Sequence, residues 1–385
     1  MSFDYLQPVD DAVLAHLMLQ PDQTLGYNID IHSTKNGMPS LEGVRIVIVG
    51  VEEGRKAIDN EETGQGLSEI RKQIYQLFPG SWITKIADLG NIPQGNTVED
   101  TYFAVSGLLS SLLKQNIIPI IIGGGQDLTY ANYRAYDSLE QMVNLVSIDN
   151  KFDFGSIQDG VTSQSYLSSI VMEKPNNLFN FSNIGYQTFF NPQEEIDLIN
   201  DLFFDAYRLG EVVNKMELVE PILRDADIVS IDISAIRNSE APANNNATPN
   251  GFYGEDICTI SRYAGISDKV SSFGIYEFNY KLDNKRQTSQ LIAQAIWYFI
   301  EGVNCRTNDY PFGTKEKYQK FIVPLEDEIL NFYKSHKSGR WWMEINFNNN
   351  KYERHSLIPC TYQDYLNANE QEIPERWYKT LKKVL

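Results

Sequence analysis

Three short stretches carry the residues that could do chemistry together. Val143 to Ile148 is an apolar, β-rich run that ends in Asp149-Asn150-Lys151-Phe152-Asp153. Ile117 to Ile122 runs into Gly123-Gly124-Gly125-Gln126-Asp127, and Ile228 to Ile231 runs into Asp232-Ile233-Ser234. Each reads as a buried parallel strand with polar or acidic groups at its carboxyl end. Ligands of open α/β sheets bind just past such ends. One Asp at such a tip is usually a turn or helix cap. Three at matched tips favour a single clustered site. Buried acids need a counter-charge, because an unpaired buried charge is strongly unfavourable. The glycine turn has a second reading as a phosphate cradle, but it lacks both the GK[ST] ending and GxGxxG spacing.

The elements that position these tips alternate. Val44 to Gly50 reads as the first strand. Leu67, Ile70, Ile74, Leu77 and Phe78 follow at helical spacing and stop at Pro79-Gly80. Trp82 to Ala87 reads as a strand ending at Asp88. Thr97 reads as the N-cap of a helix to about Gln115. A helix from about Leu128 leads into the strand ending at Asp149. Further strands are expected at Leu178 to Ile184 and Val270 to Tyr276, with a helical hairpin over 193–225 and a long helix ended by Gly302. The pattern implies an α/β fold, with helices on both faces of a parallel sheet. Residues 1–42 read as an N-terminal extension and 43–305 as the main domain. Residues 306–385 read as an appendage packed on it, with an amphipathic helix near Val323 to Phe332 and Trp341-Trp342 as packing residues.

The 385 residues carry a net charge of −18 and show no basic patch, which argues against a nucleic-acid surface. Cys258, Cys305 and Cys360 are scattered, so a reduced cytoplasmic setting is expected. No secretory signal or membrane-length apolar run is seen. The four histidines, His16, His32, His336 and His355, all lie outside the strand-tip motifs. His16, beside an apolar patch, reads as a packing or capping residue.

Taken in register, the tips resemble the ureohydrolases: arginase, agmatinase and, most closely, formimidoylglutamase. GGGQD stands where that family has GGGHE, DNKFD where it has DAHFD, and SIDIS leading to Ala241-Pro242 where it has SxDxD and Ala-Pro. Asp88-Leu89-Gly90-Asn91-Ile92, Gly185-Tyr186-Gln187 and Trp297 to Gly302 also look like the family. The resemblance covers roughly 43–302. It implies a three-layer α/β/α fold and a site for two manganese ions held by two His and four Asp.

The departures are as informative. Gln126 and Lys151 stand at the two histidine positions, and Ser234 stands at the last aspartate position. Asp149, Asp153 and Asp232 match. By analogy, Gln126, Asp149, Asp153 and Asp232 form an oxygen-only set for one hard cation, Mn or Mg. The other corner is left with Asp149, Lys151, Asp232 and Ser234, where an ammonium repels a divalent ion. Lys151 is then expected to replace the second metal as a built-in cation.

Glu277 takes the place of the family's guanidinium-binding glutamate, or else is another partner for Lys151. Ser163-Gln164-Ser165 falls at the substrate loop, with a solvated loop as the plainer reading; Ser163, Gln164 and Glu277 are the substrate-binding candidates. Asp149, Asp232 and Glu277 are the catalytic candidates. The favoured reading is a degenerate ureohydrolase acting as a binding or scaffolding protein, with no cofactor or a single Mn or Mg ion. The alternative is a formimidoylglutamase-like hydrolase of linear C–N bonds that uses one metal or none. A nucleotide-binding module built on the glycine turn is the weakest. The reading leaves room for a homo-oligomer or protein partner and names no small-molecule ligand.

Overall fold

The computed structural model describes residues 3–139, 141–158, 160–311, 315–326, 328–345 and 356–384. Nine strands form one sheet: β1 (Asp30–Ile31), β2 (Val44–Val51), β3 (Lys85–Ile92), β4 (Ile118–Ile122), β5 (Val143–Ile148), β6 (Leu178–Tyr186), β7 (Asp205–Arg208), β8 (Ile228–Asp232) and β9 (Ser272–Tyr276). Their order is β1-β3-β2-β4-β9-β8-β5-β6-β7, and every pairing is parallel.

The helices divide between the two faces. α1 (Asp11–Leu17), α2 (Leu67–Tyr75), α7 (Leu209–Val212), α8 (Val219–Arg224), α9 (Gly254–Ile266) and α10 (Gln287–Asn304) pack on the face that carries Ile48, Ile120, Ile148, Ile231 and Ile275. α3 (Val98–Leu113), α4 (Leu128–Arg134), α5 (Tyr166–Met172) and α6 (Gln193–Asp201) pack on the face that carries Val47, Val49, Ile121 and Leu145. This is the expected three-layer α/β/α arrangement. Thr97 caps α3, its Oγ1 accepting from Asp100 N at 3.1 Å while Asp100 Oδ2 accepts from Thr97 N at 2.9 Å.

Several expectations are corrected. The segment 193–225 is not a simple helical hairpin: the edge strand β7 lies within it, too short to leave a periodic signal. A second short edge strand, β1, pairs β3 inside the N-terminal extension. The long helix runs through Gly302 to Asn304; Gly302 is where α10 crosses α9, because a Cβ there would lie 2.6 Å from Arg262 O. The helix expected near Val323 to Phe332 is a hairpin of β10 (Tyr318–Pro324) and β11 (Ile329–Ser335), with Val323 opposite Leu330 and Phe321 opposite Phe332. Those four residues alternate at period two, and the chain reverses where Leu325 N donates to Glu328 O at 2.8 Å.

β12 (Trp341–Glu344) and β13 (Leu357–Cys360) complete a four-stranded antiparallel sheet, joined by α11 (Tyr362–Asn369) and α12 (Glu375–Val384). Trp342 is fully buried, and the Arg224 guanidinium of α8 sits 4.7 Å from its ring centroid. Arg224 also donates to Trp341 O and Cys360 O at 3.1 and 3.0 Å. These contacts fasten the second sheet to the first, and they give the Trp pair the packing role expected of it.

Candidate active-site cluster

β4, β9, β8 and β5 are consecutive in the sheet, so their carboxyl ends share one edge. The strand order reverses here, since the chain passes from β4 to β5 over the places that β8 and β9 later fill. Gly123 and Gly124 turn the chain with φ of 85° and 77°. A Cβ on Gly124 would lie 2.2 Å from Leu128 Cδ1 and 2.8 Å from Glu53 O, so only glycine serves there. The turn brings Gln126 and Asp127 inward, both fully buried.

From β9, Glu277 leaves the strand with φ 71°, while its N–H donates to Gly124 O at 2.9 Å. Its carboxylate is held on both oxygens: Gln126 N donates to Oε1 at 2.9 Å and Asn60 Nδ2 donates to Oε2 at 2.8 Å. From β8, Asp232 Oδ1 accepts from Ser234 N at 2.6 Å. From β5, Asp149 Oδ1 accepts from Lys151 N at 2.9 Å. Asp153 stands in the left-handed region with φ 60°. Gln126 Nε2 donates to Ser147 Oγ at 3.2 Å, and Ser147 lies on β5 two residues before Asp149. The structure therefore gathers Gln126, Asp149, Asp153, Asp232, Ser234 and Glu277 at one edge.

Lys151 behaves differently from the expectation. Strand β5 ends at Ile148, and the Asp149 carboxylate caps the Lys151 N–H. That bend ends the extended geometry in which residues i and i+2 share a face. The Lys151 side chain is half-buried and, among the described residues, forms no ion pair within 4.0 Å. Its positive charge reaches Asp149, Asp153 and Glu195 only at longer range.

The electrostatics follow from burial. Burial raises the carboxyls of Asp149, Asp153 and Asp232, and the Asp149 charge raises the last two further. Burial likewise lifts Glu277 to about 8, against the hydrogen bond from Asn60, and Asp127 to about 7, against the 2.6 Å hydrogen bond from Tyr102 OH. The Asp149 and Asp153 carboxyls interact directly, and a charge on one disfavours a charge on the other. As bare carboxylates, Asp149 Oδ2 and Asp153 Oδ2 have no donor, and Gln126 Oε1 has none either.

The loops on this edge are sewn together. Ser163 is buried, not solvated: its Oγ accepts from Ile58 N at 3.0 Å and its N–H donates to Lys56 O at 2.9 Å. Gln164 is half-buried, and its carbonyl accepts from Gly155 N. Asn245 and Asn246 donate to Asp59 O and Ile58 O at 2.9 and 3.0 Å. Glu277 is 2% exposed, Asp149 1% and Gln126 0%, so the cluster is closed.

Sequence reasoning missed Asn60, which lies 217 residues from Glu277 in a polar loop with no periodicity to mark it. It also passed over Tyr166, whose hydroxyl donates to Ser147 Oγ beneath Gln126 at 3.2 Å. His16 ends α1 with its ring against Gln20, in keeping with a capping role. His32 follows β1, three strands from β4, with Nδ1 2.9 Å from Leu89 O. His355 lies outside the described residues.

A model of the arginase family matches residues 44–301. Formimidoylglutamase of Staphylococcus aureus (strain MSSA476) is 24% identical over 279 residues, covering 69% of this chain and 88% of that protein. The Staphylococcus haemolyticus enzyme is 24% identical over 261 residues, covering 65% of this chain and 82% of that protein. Among solved structures, Bacillus subtilis formimidoylglutamase superposes with a TM-score of 0.66 at 16% identity, covering 77% of this chain and all of the other. Trypanosoma cruzi formiminoglutamase, solved with Mn2+, superposes with a TM-score of 0.63 at 19% identity, covering 69% and 96%. With its parallel sheet, its strand-tip acids and a family match over two thirds of its length, the chain belongs to the arginase family and is related to that family's formimidoylglutamase hydrolases.

Proposed function

We propose that this protein is an arginase-family member whose binuclear centre has been dismantled, and that it binds or scaffolds rather than hydrolyses. The observation that carries the reading is the second-metal corner. Lys151 and Ser234 hold the sequence positions of two of its ligands, the Lys151 ammonium forms no ion pair with these acids among the described residues, Asp232 Oδ1 is taken by the Ser234 N–H, and Asp149 Oδ1 is taken by the Lys151 N–H. An ammonium and a hydroxyl do not replace an imidazole and a carboxylate around a divalent ion. The donor set therefore does not fit a two-ion centre. Without it, no group here generates a water nucleophile near neutral pH. The closed loops over Glu277 support the same reading. Its further elements are 43–305 as the arginase-like unit flanked by 1–42 and 306–385, and a cytoplasmic setting, supported by three free cysteines.

The second reading is a hydrolase of linear C–N bonds with one hard cation. Three buried oxygens without donors favour it: Gln126 Oε1, Asp149 Oδ2 and Asp153 Oδ2. With Asp232 they are the residues that would hold the ion, which would supply Lewis-acid activation of water. Among the described residues, however, no three His, Cys, Asp or Glu side chains stand ready to hold a metal. Ser163 and Gln164 would then hold the substrate loop in place, and Glu277 would face a cationic substrate.

The test is metal analysis of protein purified without chelator, together with hydrolysis of formimidoylglutamate, arginine and agmatine in added manganese. Negligible turnover is expected. Turnover at ordinary enzyme rates that Asp232→Ala abolishes would overturn the reading and promote the second one.

A further inference from the structure

At the opposite edge of the sheet a small cavity of about 210 Å³ opens between the starts of β2 and β4 and the segment that enters β9. Two guanidinium groups, those of Arg45 and Arg306, line it. Arg306 comes from just past α10. Its Nε and NH2 donate to Gly265 O and Val270 O at 2.9 and 2.8 Å, and NH1 has no protein partner among the described residues. Arg45 sits at the rim of the same cavity, with NH1 donating to Asn116 O. Neither guanidinium has a carboxylate within 4.0 Å among the described residues, in a chain whose net charge is −18.

Asp268 also lines the cavity, but its two oxygens are committed to the backbone: Oδ1 accepts from Asn308 N at 3.1 Å, and Oδ2 accepts from Asp309 N and Tyr310 N at 2.7 and 3.1 Å. Burial, and then the charge of Arg45, depress the Arg306 guanidinium below its ordinary range. Burial also depresses that of Arg45. The charge of Asp268 favours the Arg306 cation, but by less than the charge of Arg45 disfavours it, so the two guanidinium groups leave the cavity with an excess of positive charge. The amide side chains of Asn116 and Gln141, both lining the cavity, add donors and no charge.

We infer that this cavity is a binding site for a small tetrahedral oxyanion of the phosphate class, clamped between Arg45 and Arg306. Planar guanidinium forks match phosphate oxygens, and a charge-assisted hydrogen bond is roughly twice as strong as a neutral one. The site lies at the amino ends of the strands, so it is separate from the acidic cluster and independent of whether that cluster is catalytic.

The test uses the full-length protein in chloride buffer at constant ionic strength, titrated with inorganic phosphate, glycerol phosphate or succinate while the melting temperature is followed. Phosphate or glycerol phosphate should raise the wild-type melting temperature, and succinate should not. Whichever of the two acts at lower concentration identifies the source as free phosphate or a phosphomonoester. Arg45→Gln removes one charged donor and should weaken binding by about tenfold or more. Arg45 is the decisive position, because it is exposed and its side chain bonds only Asn116 O among the described residues, whereas Arg306→Gln removes two structural hydrogen bonds and risks misfolding. No phosphate effect in wild type, an equal effect of succinate, or an unchanged phosphate effect in Arg45→Gln would each overturn the assignment.

Discussion

The same sheet buries acids in two places, Asp88 within β3 and the trio at the ends of β5 and β8, and the two are built in opposite ways. Within β3, Asp88 receives Arg71 Nε and NH2 at 2.8 and 3.1 Å, Tyr75 OH at 2.9 Å and Gly90 N at 2.9 Å. Arg71 spends its remaining donors on Asn91 Oδ1 and Gly90 O. Both side chains are essentially without exposure. A few strands away, Asp149, Asp153 and Asp232 are equally buried, yet oxygens of Asp149 and Asp153 face no donor and no cation pairs with any of the three among the described residues. A satisfied network specifies a unique core. An unsatisfied one holds protons or awaits a ligand. The first group is scaffold, and the second is the candidate site.

The largest effect should come from breaking the satisfied group. Arg71→Leu leaves Asp88 buried without its partner and should destabilise the protein by about 3–5 kcal/mol, read from denaturant unfolding. A loss near zero would mean that Asp88 is not held by charge.

The same kind of change in the candidate site should act in the other direction. In metal-free protein, Asp153→Asn removes one of three crowded acids and should raise the melting temperature by a few degrees at neutral pH. The raised pKa of Asp153 means that its stability contribution is present below its ordinary 3.8 and is lost as pH rises through the folded value. The gain from Asp153→Asn should therefore grow with pH. A loss of stability at neutral pH would place Asp153 with the satisfied group.

Glu53 sharpens the contrast. Burial would raise its carboxyl, but hydrogen bonds from Arg55 and Thr101 outweigh burial and hold it below the ordinary range. Its contribution is present above its ordinary 4.5 and is lost as pH falls through the folded value. Glu53→Gln should flatten the acid limb of the stability profile below about pH 4.5 and leave the neutral-to-alkaline limb unchanged. An unchanged acid limb would show that other acids carry it.

The smallest effect belongs to Lys151. With no ion pair to lose among the described residues, Lys151→Ala should change stability by less than about 1 kcal/mol. A loss of several kcal/mol would restore the built-in cation that the spacing of Asp149, Lys151 and Asp153 suggests.

Some of this was legible in advance and some was not. Val143 to Ile148 and Ile228 to Ile231 announce themselves as buried strands, and their trailing aspartates mark the edge where the site lies. The short edge strands β1 and β7 carry too few residues to show a period, and the β10–β11 hairpin was obscured by apolar residues that fit helical spacing as well. Asp88 was expected as a strand end and instead lies within β3, and its partner Arg71 sits on α2 among residues read only as helix packing.

The sequence by itself determined the alternation of strands and helices, the parallel sheet, and the acids at its edge with Gln126, Lys151 and Ser234 among them. These are properties of residue type and local periodicity, and they need no knowledge of what comes near. Only the tertiary structure decided which buried charge is satisfied. That depends on which distant group arrives, as Asn60 reaches Glu277 across 217 residues, and on single backbone turns. The bend after Ile148 presents the Lys151 N–H, rather than its ammonium, to Asp149, and no reading of spacing along an extended chain contains that bend.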